Sequence, residues 1–191
     1  MGREFELKFR TDGETIAAIR EKYGAFTPIS METTYYDTSD LKLSVHHWTL
    51  RRRMENGRSV CTFKCPHADG GRGEWEVEAD SIMEGVMELC RAGADWELMR
   101  ATAGGLLEVC GARFTRLVTN LEIPGGRVEL ALDEGVLLGR GRQLPFAEVE
   151  VELKEGSDAA AVAFARTLAE TFALTEEPLS KFARAMALAM T

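Results

Sequence analysis

The sequence contains few of the residues from which zinc centres and disulfide frameworks are built. Its 191 residues include four cysteines and three histidines, and no Cys-x-x-Cys pair occurs. Because structural zinc sites need closely spaced Cys and His ligands, the sequence argues against a zinc centre. Cys61 and Cys65 alternate with Phe63, as on the apolar face of a strand. We therefore expect reduced, buried, structural thiols, which are Cys61, Cys65, Cys90 and Cys110.

Long apolar runs and an excess of positive charge are also lacking. No apolar stretch is long enough to span a bilayer, and the charged N-terminus does not resemble a signal peptide, so a cytoplasmic location is expected. The net charge of −8 argues against a general nucleic-acid binder. The segment Gly70-Gly71-Arg72-Gly73 lacks the lysine and the spacing of a Walker loop. An anionic small molecule remains possible as a substrate.

The pattern of the chain predicts one α+β domain over residues 1–191, with a mainly antiparallel sheet. Turn residues at Glu55-Asn56-Gly57 and Pro124-Gly125-Gly126 each predict a hairpin. Eight strands are predicted, at residues 3–10, 31–38, 47–54, 58–65, 73–79, 113–123, 126–133 and 146–154. Helices are predicted at residues 14–23, after a Ser81/Glu84 capping box, at 97–110, after Ser157 or Asp158, and at 179–190.

Charged residues share one face in most of these strands, because side chains alternate between the two faces of a strand. A solvated outer face would explain any one strand. The set is harder to explain in that way, since one strand carries three glutamates at a spacing of two. The residues concerned are Glu4, Glu6 and Lys8; Arg51 and Arg53; Arg58, Thr62 and Lys64; Arg72, Glu74, Glu76 and Glu78; Arg116, Asn120 and Glu122; Arg127, Glu129 and Asp133; and Glu148, Glu150, Glu152 and Lys154.

The cost of like charges distinguishes an open face from an enclosed one. Two carboxylates two residues apart lie about 7 Å from each other and repel by roughly 2 kcal/mol at an effective dielectric constant near 20. A divalent cation such as Mg²⁺ or Mn²⁺ would turn this repulsion into attraction. Clustered arginines and lysines would similarly be satisfied by phosphate. We therefore predict an eight-stranded barrel with charges inside and apolar residues outside, under helices.

Several short motifs, in this order, resemble those of the CYTH superfamily, also called triphosphate tunnel metalloenzymes. The resemblance begins with the Glu-x-Glu-x-Lys pattern at Glu4-Phe5-Glu6-Leu7-Lys8 and covers nearly the whole chain. The other matching segments are Tyr35-Tyr36-Asp37-Thr38, Leu50-Arg51-Arg52-Arg53, Thr62-Phe63-Lys64, Arg72 with Glu74 and Glu76, Phe114-Thr115-Arg116, Leu132-Asp133-Glu134-Gly135, Glu148-Val149-Glu150, and Ser180-Lys181 with Arg184.

The resemblance implies a tunnel fold that acts on triphosphate compounds with Mg²⁺ or Mn²⁺, and it is strongest to the bacterial inorganic triphosphatase branch. The implied catalytic residues are Glu4, Glu6, Lys8 and Glu150. The implied metal ligands are Glu4, Glu6, Asp133, Glu148 and Glu150, with Glu74 or Glu76 as possible additions. The implied phosphate-binding residues are Lys8, Arg51, Arg53, Lys64, Arg116, Lys181 and Arg184. Arg52 has outward parity, and we expect a packing role for Tyr35 or Tyr36.

Alternative functions remain open from the sequence. A class IV adenylate cyclase or a thiamine triphosphatase would need the same charged interior. A non-enzymatic sensor of polyphosphate or nucleotide is a third alternative, although simple anion binding does not need two carboxylate clusters. The resemblance also makes a homodimer possible. We expect neither a nucleic acid nor a membrane as a partner.

Overall fold

The computed structural model describes residues 5–66 and 72–191, which form one antiparallel sheet with helices packed against it. The strands are β1 (Glu6–Arg10), β2 (Thr27–Asp37), β3 (Thr49–Glu55), β4 (Arg58–Pro66), β5 (Arg72–Glu78), β6 (Leu107–Ile123), β7 (Gly126–Gly139), β8 (Arg142–Gly156) and β9 (Thr175–Glu176). The helices are α1 (Gly13–Tyr23), α2 (Lys42–Val45), α3 (Ile82–Arg91), α4 (Glu97–Thr102), α5 (Asp158–Phe172) and α6 (Lys181–Met190).

The sheet has the strand order β5-β4-β3-β2-β6-β7-β8-β1-β9, and the neighbours are paired antiparallel. This confirms the predicted α+β class with flanking helices. In the described part of the chain, no ladder of hydrogen bonds joins the edge strands β5 and β9. The strands therefore form a continuous sheet that hydrogen bonds do not close into a barrel.

Local sequence signals account for most of the element ends. Ser81 caps α3 by accepting a hydrogen bond from the Glu84 backbone N–H at 3.2 Å, as the capping box predicts. The β3–β4 turn places Asn56 and Gly57 at φ values of 49° and 86°, which is the left-handed conformation that this hairpin turn needs. Among the described residues, no helix has both the length and the apolar character needed to cross a membrane.

The prediction of a single helix over residues 97–110 was wrong. The helix ends at Thr102, and residues from Leu107 onward belong to β6. Gly105 follows the helix at a φ of 102°, where a left-handed residue interrupts a helix. Strands β6, β7 and β8 are also longer than predicted, and α2 and β9 were missed. Two-residue strands and one-turn helices leave almost no periodic signal.

Two apolar clusters cover the uncharged face of the sheet. One contains Phe9, Leu130 and Val149 under α1 and α5. The other contains Leu50, Cys61 and Phe63 under α3 and α4. No disulfide joins the four cysteines; Cys61, Cys90 and Cys110 are buried, as predicted, whereas Cys65 is only partly buried. Burial raises the pKa of the Cys61 thiol to about 11 and that of Cys110 to about 12.

A third cluster lies on the opposite face, because α6 packs there against β6 and β7. It joins Ala185 and Met186 of the helix to Phe114 and Leu137 of the sheet. Gly139 permits this close approach. A β-carbon at Gly139 would lie 2.6 Å from the backbone nitrogen of Ala189 and 2.8 Å from the carbonyl oxygen of Ala185.

Gly139→Ala should therefore push α6 away from the sheet. We expect the free energy of unfolding to fall by about 1–3 kcal/mol, the usual cost of overpacking a rigid contact. Gly104→Ala is the matched control, since no atom lies within 4 Å of a β-carbon built there, and it should change stability by less than about 0.5 kcal/mol. Urea denaturation measures the free energy of unfolding of both variants. Equal losses would contradict the close contact between Gly139 and α6.

Candidate active site

Antiparallel register brings the predicted acidic residues together on the face that carries α6. Asp133 of β7 is paired with Glu148 of β8 on one side and with Arg116 of β6 on the other. Glu150 follows two residues along β8, and its partner on β1 is Lys8. We call this side of the sheet the charged face. It carries Lys8, Arg51, Arg53, Lys64, Glu74, Glu76, Arg116, Asp133, Glu148 and Glu150.

The centre of the charged face is enclosed. The side chains of Asp133 and Glu148 are 0% exposed, and that of Lys181 is 11% exposed. Arg53, on the far side of β2, is 15% exposed. Charged residues on an ordinary solvated strand face would be largely exposed. The sequence left open whether these charges lie on a solvated face or an enclosed one, and the centre of the charged face is enclosed.

Asp133, Glu148 and Glu150 form a carboxylate cluster. One oxygen from each residue lies within 4.8 Å of the others. Arg116 neutralises one side of the cluster, with its Nε 2.8 Å from Asp133 Oδ1 and its second terminal nitrogen 2.6 Å from Oδ2. The same guanidinium also donates to Glu150. Bidentate contacts of this kind fix the direction of the carboxylate.

Lys181 reaches the cluster from the first residue of α6. Its Nζ lies 2.8 Å from Asp133 Oδ2, 2.5 Å from Glu148 Oε2 and 2.6 Å from Glu150 Oε1. Ser180 caps the helix by accepting from the Ala183 backbone N–H, which fixes the point from which the side chain starts. A single cation thus contacts all three carboxylates.

Glu177 anchors the chain just before α6, a role that the sequence analysis missed. The side chain is buried, and its Oε1 accepts from the Leu179 backbone N–H at 3.0 Å. Its Oε2 lies 3.4 Å from Arg10 Nε and 3.6 Å from a terminal nitrogen of Arg184. Arg184 also forms an ion pair with Glu148. Glu177 precedes Pro178 in a short connection, where no strand or helix periodicity marks it.

Opposing effects set the pKa values of the cluster. Burial favours the neutral form of Glu150, but the charges of Lys181 and Arg116 overcome it and hold the pKa well below its usual range. Burial likewise opposes the charged form of Lys181, but Glu150 and Asp133 outweigh it and raise the pKa. Glu150 and Lys181 are therefore both charged near neutral pH.

The cations of β3 and β4 form a second part of the charged face. Lys64 Nζ lies 3.1 Å from Glu74, and Arg53 lies 3.7 Å from Glu76. The Nε atoms of Arg51 and Arg53 are buried and have no hydrogen-bond partner among the described residues. Burial and the charge of Arg51 lower the pKa of Arg53. Buried donors of like charge would be satisfied by an anion with several oxygens.

Other predicted residues lie at the margins of this arrangement. Glu6 is exposed and lies opposite Glu152, outside the carboxylate cluster. Lys8 is half-buried beside Glu150, and burial and the charge of Lys181 lower its pKa. Glu4 and the side chain of Arg72 lie outside the described residues. Arg52 points to the opposite face and donates to the Ser59 hydroxyl, as its parity predicted.

The tyrosines and Asp37 of the Tyr35-Tyr36-Asp37-Thr38 segment have structural roles. Tyr35 packs on Phe182 of α6 with ring centroids 5.0 Å apart, and Tyr36 packs in the cluster under α3. Asp37 is buried and accepts hydrogen bonds from the backbone N–H groups of Thr38, Leu43 and Ser44. It therefore stabilises the chain around α2.

One end of the charged face is apolar, which the sequence analysis missed. Phe114 and Phe146 flank Gly135 in the strand register, and their rings are 5.6 Å apart. Lys181 Nζ lies 5.3 Å and 5.5 Å from the two ring centroids. Parity was the available signal, because Phe114 shares its face with Arg116 and Phe146 shares its face with Glu148.

The carboxylate cluster suits a hard divalent cation. Mg²⁺ and Mn²⁺ prefer carboxylate oxygens, and three residues here offer such oxygens within 4.8 Å. That one ammonium group touches all three shows that their oxygens converge on a common point. Asp133, Glu148 and Glu150 therefore fit the metal-ligand role that the sequence predicts for them.

The ion pairs of Glu150 should make stability depend on pH. Its stabilising effect is complete above the unfolded-state pKa of about 4.3, and it is lost as the pH falls towards the lower folded-state value. Glu150→Gln should cost about 3 kcal/mol near neutral pH, since it leaves buried cations with fewer partners. The difference in the free energy of unfolding between this variant and wild type should shrink as the pH falls to about 3.

Urea unfolding across this pH range tests the prediction. Glu152→Gln is the matched control, because Glu152 lies two residues along the same face of β8, outside the cluster, and pairs with Lys154. A Glu150→Gln difference that stays constant down to the acidic limit would contradict the role given to Glu150.

Solved structures share this architecture. HpAC1 from Hippeastrum, reported to have a dominant triphosphatase activity, aligns with a TM-score of 0.72 at 19% identity, over 97% of this chain and 96% of its own. PH1819 from Pyrococcus horikoshii OT3 aligns with a TM-score of 0.66 at 24% identity, over 98% and 99%. The bh2851 protein of Bacillus halodurans, named as a candidate adenylate cyclase, aligns with a TM-score of 0.61 at 19% identity, over 94% and 96%.

At these identities the structural likenesses establish the fold alone. The family follows from the sequence itself, because the model of the CYTH domain matches residues 2–186. This confirms the resemblance carried by the motifs on β1, β3, β7 and β8. The chain belongs to the CYTH family.

Proposed function

We propose that this protein is a divalent-metal-dependent triphosphatase that hydrolyses a terminal phosphoanhydride bond, with inorganic tripolyphosphate as its preferred substrate. The observation that carries the proposal is the enclosed charged face. It combines a carboxylate cluster at Asp133, Glu148 and Glu150 with buried arginines at Arg51 and Arg53. The dominant triphosphatase activity of HpAC1, which has the same fold, supports the reaction class.

The two parts of the charged face have different tasks in this proposal. Asp133, Glu148 and Glu150 would hold Mg²⁺ or Mn²⁺, and Glu6 and Glu4 are the predicted additional ligands. When bound, the ion supplies charge neutralisation of the phosphate and activation of water. Arg51, Arg53 and Lys64 bind phosphate oxygens, and the unpartnered Nε atoms supply two of the donors.

The remaining cations orient the substrate and the cluster. Lys8 lies beside Glu150 on the charged face and would bind phosphate next to the carboxylates. Arg116 holds Asp133 and Glu150 in fixed orientations. In phosphoryl transfer most of the catalytic effect comes from such positioning and charge stabilisation, so the mechanism needs no nucleophilic side chain.

On the described part of the charged face, the sheet presents no exposed aromatic side chain, which favours an inorganic substrate over a nucleotide or thiamine compound. Binding sites for bases and other heterocycles commonly use aromatic stacking. The aromatic side chains described on the charged face are Tyr35, Phe114 and Phe146, and all three are buried in the cluster with α6. That end of the face is filled, and the opposite end carries charged residues such as Glu6, Glu152 and Lys154.

A substrate panel tests the reaction. Tripolyphosphate, ATP and thiamine triphosphate should each be incubated with Mg²⁺ or Mn²⁺, followed by analysis of products. We expect metal-dependent release of orthophosphate, fastest from tripolyphosphate. Cyclic AMP with pyrophosphate from ATP would instead identify a cyclase, and tight binding without turnover would identify a sensor.

The neighbouring arginines of β3 offer a matched pair of variants. Arg53→Gln should lower kcat/KM for tripolyphosphate by roughly 100-fold, the effect of removing one preorganised donor to developing charge. Arg52→Gln should stay near wild type, because Arg52 points to the opposite face and contacts Ser59. Steady-state kinetics of both variants test this prediction. Equal losses of kcat/KM would contradict phosphate binding on the charged face.

A further inference from the structure

Lys181 occupies the point at which the three carboxylates of the cluster converge. Its Nζ lies between 2.5 and 2.8 Å from one oxygen each of Asp133, Glu148 and Glu150. Arg116 and Arg184 also contact the cluster, but from its edges: Arg116 contacts Asp133 and Glu150, and Arg184 contacts Glu148. Among these cations, Lys181 is the one placed between all three acids.

A divalent ion and this ammonium group cannot share that point. Mg²⁺ binds carboxylate oxygens at about 2.0–2.1 Å, so an ion held by these oxygens would take up the space in which Nζ lies. Two positive centres at contact distance also repel strongly where water is largely excluded. Lysine suits an exchange of this kind, since its charge sits on a flexible four-carbon chain.

We propose that Lys181 is a built-in cation that a divalent metal ion displaces from the Asp133–Glu148–Glu150 cluster, so that metal binding releases the lysine from the carboxylates. The inference rests on the proposed function, because it requires the metal to bind at this cluster. It adds that the position of the Lys181 side chain, at the start of α6, changes when the metal binds. The carboxylates thus have a counter-cation whether or not the metal is bound.

The exchange makes a prediction about metal affinity in the absence of substrate. If the metal-accessible form is populated at a tenth or less in wild type, removal of the ammonium should tighten the apparent Kd for Mn²⁺ by about tenfold or more. Lys181→Met keeps the length of the side chain and removes the charge. Binding of Mn²⁺ alone is measured by electron paramagnetic resonance of the unbound ion.

Two controls separate displacement from a general change in charge. Arg184→Met removes one positive charge that contacts Glu148 but does not lie between the three acids. Lys154→Met removes a lysine of β8 that pairs with Glu152 and Glu129. If the metal displaces Lys181, the gain in Mn²⁺ affinity in Lys181→Met should clearly exceed the gain in Arg184→Met, and Lys154→Met should show no gain. Equal gains in Lys181→Met and Arg184→Met would overturn it.

Glu150→Gln distinguishes failure of the exchange from failure of the proposed function. Suppose that wild type binds Mn²⁺, that Glu150→Gln abolishes this binding, and that Lys181→Met does not tighten it. This result would overturn the exchange alone. Absence of Glu150-dependent Mn²⁺ binding in both wild type and Lys181→Met would overturn the metal site together with the exchange.

A measurement on wild type keeps the inference testable if Lys181→Met does not fold. Brief acetylation with acetic anhydride, read by peptide mass spectrometry, compares lysines with and without saturating Mn²⁺. The acetylated fraction of Lys181 should rise several-fold with Mn²⁺, while that of Lys154 should not change. A Lys181 fraction that Mn²⁺ leaves unchanged would contradict displacement.

Discussion

Three buried carboxylates next to one another need cations, and the sheet alone supplies too few at the centre of the cluster. Across four neighbouring strands, one row of the charged face reads Arg116, Asp133, Glu148 and Arg10. The outer members are cations, but the two central residues are acids that face each other across β7 and β8. Like charges in that position are destabilising. The compensating charge comes from outside the sheet, through Lys181 on α6.

This requirement explains why the last helix lies on the charged face. The other long helices pack on the opposite face, over apolar side chains. Helix α6 instead has an apolar side in contact with Phe114 and Met31, and its first turn places Lys181 and Arg184 beside the acids. Gly139 provides room for the helix, and Gly135 permits the close approach of β6 at Phe114. Packing and charge neutralisation therefore stabilise the same docking.

Strand parity was enough to predict the charged face, because alternation is a local property of the chain. The orientations of Arg52 and Arg53, of Cys61 and of Glu148 all follow from it. Parity could not predict which part of the face is enclosed, since this depends on where α6 lies. The sequence between Ala103 and Leu107 was misread because its helix-like spacing continued past the glycines that end α4. Glu177 was missed because tertiary contacts alone define its role.

The contrast between net and local charge bears on the choice of ligand. An acidic chain would ordinarily repel an anion, but the charge that matters is the one the anion meets. Most of the acids on the charged face are already paired, with Arg116, Lys181 and Arg184 in the cluster and with Lys64 and Arg53 near β5. Among the described residues, the buried donors without a hydrogen-bond partner include the Nε atoms of Arg51 and Arg53, near β5 and away from the carboxylate cluster. A metal ion that took over the carboxylates would free one further cation, which favours binding a metal and a polyanion together over binding either alone.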